Sequence, residues 1–200
     1  MTTQNVLTTE VAQIDYEALR AELNVIYDTY RNASMHEKYY GNRLTHLTNW
    51  NRSYEIVLAI GTSTAIAAWA IWEQNNWAKV FWAIFSGLIT LLAITKPFLK
   101  MPEGIEKYST LHTGYRALFL NLDSIVSKIR RKSAITSEVQ ELFDAAQDQY
   151  RSLALNDTVN FNQKILRRCQ QQVLQEIPVN RLWYPARQAD GNQSAGSEDQ

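Results

Sequence analysis

Residues 69–85 read WAIWEQNNWAKVFWAIF: four tryptophans flank a short polar turn, and one lysine stands among them. The stretch is either the corner of a soluble helical hairpin or the crest of two spans that cross a bilayer, and the choice sets the fold class. Upstream, residues 56–72 (IVLAIGTSTAIAAWAIW) hold no charge; as a helix they reach about 26 Å, close to the hydrocarbon thickness of a bilayer. Downstream, residues 77–95 hold one charge, Lys79, and reach about 28 Å. A helix pair buried in a soluble domain keeps a polar stripe, because few domains of this size can surround two helices completely. The sequence therefore predicts an all-α membrane protein, a two-span transmembrane helical hairpin with a cytosolic helical bundle.

In that reading Trp69, Trp72 and Trp77 form an interfacial belt beside the EQNN turn, with Trp50 and Tyr54 at the opposite face. Lys38, Arg43 and Arg52 precede the first apolar segment and Lys96, Lys100 and Lys107 follow the second. This bias places both termini in the cytoplasm and the turn outside, with Lys79 snorkelling outward along its stem.

Gly61 and Ala65 form a small-xxx-small pair that Ala68 extends, a face suited to close helix packing. In the second segment Lys79, Ala83, Ser86, Thr90 and Ala93 recur at three- and four-residue steps as one narrow small or polar face. That stripe either packs against Thr62, Ser63 or Thr64 or lines a water-filled path in an oligomer, where Lys79 at the outer mouth would disfavour cations. Two spans cannot enclose a pore alone, so the second use requires a homo-oligomer.

From Asp15 the spacing of Leu19, Leu23, Ile26, Tyr30, Ala33, Tyr40, Leu44 and Leu47 predicts one long helix running into the first apolar segment. Pro97, Pro102 and Gly104 mark a break, read as a hinge at the membrane surface. Beyond it Leu111, Tyr115, Leu118, Leu122, Ile125 and Ile129 form the stripe of a packed amphipathic helix, with the long amino-terminal helix as its natural partner. A further helix is expected from Ser137, an N-cap candidate with Gln140 three residues on, and a last one with Asp157 as its cap candidate and Pro178 as its end. The domain reading is an N-terminal segment 1–14, a two-span domain 15–135, C-terminal cytosolic helices 136–185 and a disordered tail 186–200 that lacks aromatic and large aliphatic residues.

Twenty basic residues balance twenty acidic ones, so no excess of cations points to nucleic acid as a partner. The first thirty residues lack a basic start followed by an apolar block, so no secretory signal is expected. The single cysteine, Cys169, forms no internal disulfide and suits a reducing cytosol. His36, His46 and His112 form no HExxH pattern, and no phosphate-cradling loop or nucleophile elbow occurs. No catalytic residue, cofactor or metal site is predicted. The basic run KIRRK at 128–132 suits a helix C-terminus offsetting the dipole, with contact to anionic lipid or a nucleotide as the other use.

The layout of long helix, two apolar segments with a minimal turn, and returning amphipathic helix resembles the SLATT family of two-span effectors in bacterial conflict systems. YRNASMH (30–36) looks like the aromatic and basic helix before the first span, AIGTSTAI (59–66) is similar to the small-residue first span, and EKYSTLHTGYRALF (106–119) looks like the histidine and tyrosine helix after the second. The resemblance implies an anti-phage effector of the bacterial inner membrane. Such an effector disrupts that membrane through an oligomeric pore when triggered by a nucleotidyltransferase or nucleotide-sensor partner. No sensor domain is recognisable in this chain. The alternative is a membrane-anchored helical scaffold or adaptor that forms no pore.

Overall fold

The computed structural model describes residues 3–71, 76–96, 100–157 and 161–185. Among them the chain is all helical: α1 (Thr3–Ile71), α2 (Asn76–Thr95), α3 (Met101–Lys132), α4 (Ser137–Leu155) and α5 (Gln163–Glu176), followed by a 3₁₀ turn at Val179–Arg181. The long amino-terminal helix is continuous through the apolar segment, over 69 residues.

The two-span hairpin requires correction. Over the described residues no helix is long and apolar enough to cross a membrane. The apolar part of α1 runs only from Ile56 to Ile71 and carries Thr62, Ser63 and Thr64 within it, while α2 carries Asn76, Lys79, Ser86, Thr90 and Thr95 along its length. Helical class is retained; membrane-spanning topology is not.

By contacts the chain divides into two units, residues 1–37 with 114–200, and residues 38–113. The first unit is a helical bundle whose core is the stripe read from spacing: Leu111 lies outside it, but Tyr115, Leu118, Leu122, Ile125 and Ile129 of α3 are all buried. Buried in the same unit are Leu23, Ile26, Tyr27, Tyr30 and Ala33 of α1, Val139, Phe143 and Ala146 of α4, and Cys169 and Val173 of α5. Each such aliphatic side chain contributes about 1.5–3 kcal/mol by leaving water, which is why 3.6-residue spacing and burial coincide.

The joints between these helices differ from expectation in detail. The left-handed backbone of Ser133 (φ 48°) ends α3 and turns the chain toward α4. Thr136, not Ser137, occupies the N-cap of α4, without a side-chain cap bond. Gln140 reaches α1 instead of back to Ser137, its Nε2 donating to Glu22 Oε1 at 3.1 Å. Asn162, not Asp157, caps α5, its Oδ1 accepting from the backbone N–H of Lys164 and Ile165 at 3.1 and 3.3 Å. After α5 an extended strap returns along α1. The Arg31 guanidinium donates to the Ile177 carbonyl at 3.3 and 3.2 Å, the Tyr27 hydroxyl to the Trp183 carbonyl at 2.7 Å, and the Tyr184 hydroxyl to Asn24 Oδ1 at 3.0 Å.

In the second unit, α2 lies against the later part of α1. Among the described side chains of α2, Ile89 is the buried one, and it sits on Gly61: a Cβ there would come 2.6 Å from Ile89 Cδ1. The Tyr54 hydroxyl donates to the Leu92 carbonyl and lies 3.3 Å from Thr95 Oγ1, and Lys96 pairs with Glu55 at 3.6 Å. The three residues read as a hinge fall in different places. Pro97 lies outside the described residues, while Pro102 and Gly104 lie in the first turn of α3, where proline's missing N–H is no loss and Gly104 N–H already donates to the Lys100 carbonyl at 3.1 Å. The left-handed residue of this break is Lys100, with φ 43°.

Candidate functional site

The side chains of α2 divide at 100° per residue into three arcs. Phe85, Ile89 and Leu92 make the arc toward α1, buried or half-buried. Trp77, Val80, Phe81, Ile84, Leu88, Leu91 and Ile94 make a second, each at least 54% exposed; it is about 140° wide on the helical wheel. Ile56, Val57 and Ile60 of α1 are exposed as well, at 45% or more. An exposed apolar helix face of this kind is uncommon on a monomer and marks an interaction face.

The third arc holds the stripe read from the sequence. Ala83, Ser86, Thr90 and Ala93 are all exposed, and the Thr90 hydroxyl donates to the Ser86 carbonyl of its own helix at 2.8 Å. The side chains of Thr62, Ser63 and Thr64 lie outside the described residues; a described contact of this helix with α1 is that of Ile89 with Gly61. The side chains of Lys79, Ala65 and Ala68 lie outside the described residues, as do those of Trp69 and Trp72. Trp50 and Trp77 are exposed at 58% and 83%.

A second cluster lies in the first unit, where two sequence motifs converge. Tyr30 stacks on Phe119 with centroids 5.1 Å apart and donates to Asp123 Oδ1 at 2.7 Å; burial and that carboxylate push its hydroxyl pKa up. Two turns on, His36 stacks on Tyr115 at 4.8 Å and meets the edges of Tyr150 and Phe161 at 6.3 and 5.8 Å. His36 Nδ1 lies 3.7 Å from Asp157 Oδ2, which accepts the Tyr115 hydroxyl at 3.2 Å. Burial outweighs the nearby carboxylate and lowers the His36 pKa to about 4; burial and the neighbouring Tyr150 push Tyr115 up to about 12. Tyr115, His36 and Asp157 thus tie α1, α3 and the end of α4 together. Spacing could not reveal Asp157 or Phe161 here, because both lie beyond the helical stripes and reach His36 only by chain return.

His112 belongs to the other unit, beside Gly41, where an added Cβ would lie 3.2 Å from the imidazole Cε1. Arg43 donates to the Tyr108 hydroxyl at 3.2 Å and stands over its ring at 5.3 Å. In the run KIRRK, Lys128 and Lys132 bracket one carboxylate, Glu138, at 2.7 and 3.0 Å, and draw its pKa down to about 2. The other basic surface is on α5, where Lys164, Arg167 and Arg168 line an open groove of about 430 Å³ with Gln163 and Gln171. No group of three or more His, Cys, Asp or Glu side chains among the described residues could hold a metal ion. No known protein family, curated protein or solved structure matches the chain.

Proposed function

We propose that the chain is a helical effector that engages a lipid bilayer through the exposed apolar arc of α2, with the exposed Ile56, Val57 and Ile60 of α1 as further apolar surface, and that several copies together disrupt that bilayer. The engagement is of a helix face with acyl chains and headgroups, as for interfacial helices, and not a two-span crossing. The observation that carries this reading is the arc itself: seven large apolar side chains on one helix, each more than half exposed. The resemblance of YRNASMH, AIGTSTAI and EKYSTLHTGYRALF to SLATT effectors agrees with it and adds the setting, bacterial conflict at the inner membrane with a nucleotide-linked partner. Purified protein should co-sediment with liposomes and release entrapped dye, and Ile84→Glu with Leu88→Glu should abolish both. Equal co-sedimentation of wild type and the doubly charged variant would sink the proposal.

A second reading is an adaptor in which protein, not lipid, covers the same arc. The α5 groove favours it, since Lys164, Arg167 and Arg168 line that surface and suit an acidic partner. Protein that ignores liposomes yet elutes as a complex with an acidic partner, lost on Arg167→Glu, would select this reading over the first.

A further inference from the structure

Two exposed helix faces in the first unit carry opposite charge. We infer that the basic face of α5 in one copy of the chain docks on the acidic face of α4 in another. On α4, Glu141, Asp144, Asp148 and Leu155 fall within about 60° of helical arc, on the side away from the buried Val139, Phe143 and Ala146. On α5, Lys164, Arg167, Gln171 and Leu174 fall within about 80°, away from the buried Cys169 and Val173, and Arg168 stands at the edge of that arc. Every one of these outward residues is exposed.

Their own chain leaves these charges available. Among the described residues no side-chain hydrogen bond or ion pair engages Glu141, Asp144, Lys164, Arg167 or Arg168. Asp148 pairs with Arg151 on its own helix at 3.1 Å, with both side chains more than 70% exposed, and an ion pair so wet contributes little. The two faces therefore complement each other in sign while neither is neutralised locally. A partner of the right charge is present wherever a second copy is, and the chain as a whole is neutral, so copies approach without long-range repulsion.

Spacing along the faces matches as well. Leu155 follows Asp148, and Leu174 follows Arg167, by the same two helical turns, about 10 Å. Laid parallel, the two helices bring Asp148 to Arg167, Asp144 to Lys164 and Leu155 to Leu174 together. Those leucines are 88% and 52% exposed, and covering them adds apolar burial to the attraction that selects the register. The inference rests on the reading of the α5 surface as one that takes an acidic partner, and it names that partner as another copy of the chain. The α2 arc plays no part in it.

Sedimentation velocity tests this on the full chain carrying Phe81→Gln and Leu88→Gln, which remove apolar association through α2 without adding charge. That background protein should self-associate at about 0.1 M salt and shift toward monomer at about 1 M. Lys164→Glu with Arg167→Glu, or Asp144→Lys with Asp148→Lys, should each weaken association about tenfold or more. An equimolar mixture of the two reversed proteins should restore it, because each then meets a face of opposite sign. A background protein that stays monomeric at every concentration, association that either reversal leaves intact, or a mixture that stays monomeric would overturn the inference. A monomeric chain that still binds a different acidic protein, and loses it on Arg167→Glu, would overturn this inference alone and leave the adaptor reading standing.

Discussion

Gly61 carries the closest approach in the second unit, because Ile89 occupies the space a side chain would fill. Three atoms of that isoleucine lie within 3.0 Å of a Cβ built on Gly61, so both its branch and its tip would have to move. Gly61→Ala should destabilise the α1–α2 pair by about 1–3 kcal/mol, the usual range for overpacking. Ile89→Ala combined with it should recover part of that loss, giving a favourable coupling in a double-mutant cycle read by thermal unfolding. Gly61 was legible as one half of a small-xxx-small pair, but its partner was not: Ile89 is a bulky residue in an apolar run, and periodicity does not say which of several isoleucines turns inward. The small stripe of Ala83, Ser86 and Thr90 looked like the partner surface. It is exposed, its residues lying about 60–120° around the helix from Ile89.

At the level of elements, α5 depends on its first turn. It has 14 residues and no acidic residue in that turn, so it has little intrinsic stability, and Asn162 supplies the acceptor for two otherwise orphaned N–H groups. Asn162→Ala should cost about 1 kcal/mol, seen as earlier exchange at Lys164 and Ile165 and a lower melting temperature. The amphipathic face of α3 was readable residue by residue, since one stripe had to be buried for the helix to exist. The start of α4 was also readable to within a residue. The caps were less so: Thr136 and Ser137, or Asp157 and Asn162, are chemically equivalent candidates, and only the path of the chain decides among them. Asp157 was drawn instead to Tyr115 and His36, a long-range choice that no local rule contains.

For the whole molecule, the reading of charge-free length as two spans failed where polar residues within the apolar segments were weighed too lightly. Apolar content was legible, but its use was not, because hydropathy does not distinguish lipid crossing from an uncovered helix face. The uncovered face has a solution consequence: Phe81→Lys with Leu88→Lys should raise detergent-free solubility and narrow the size distribution in light scattering, with helix content by circular dichroism unchanged. A final consequence concerns the order in which the molecule is made. The second unit, residues 38–113, is one unbroken stretch. The first is split around it, and the Tyr27 hydroxyl meets its carbonyl partner 156 residues further along the chain. On the ribosome the amino-terminal half of α1 therefore emerges long before the strap that completes its surroundings, while the inserted unit already has all of its own contacts. Synthesis gives the chain a built-in timetable, in which the piece that starts last in sequence closes first in space.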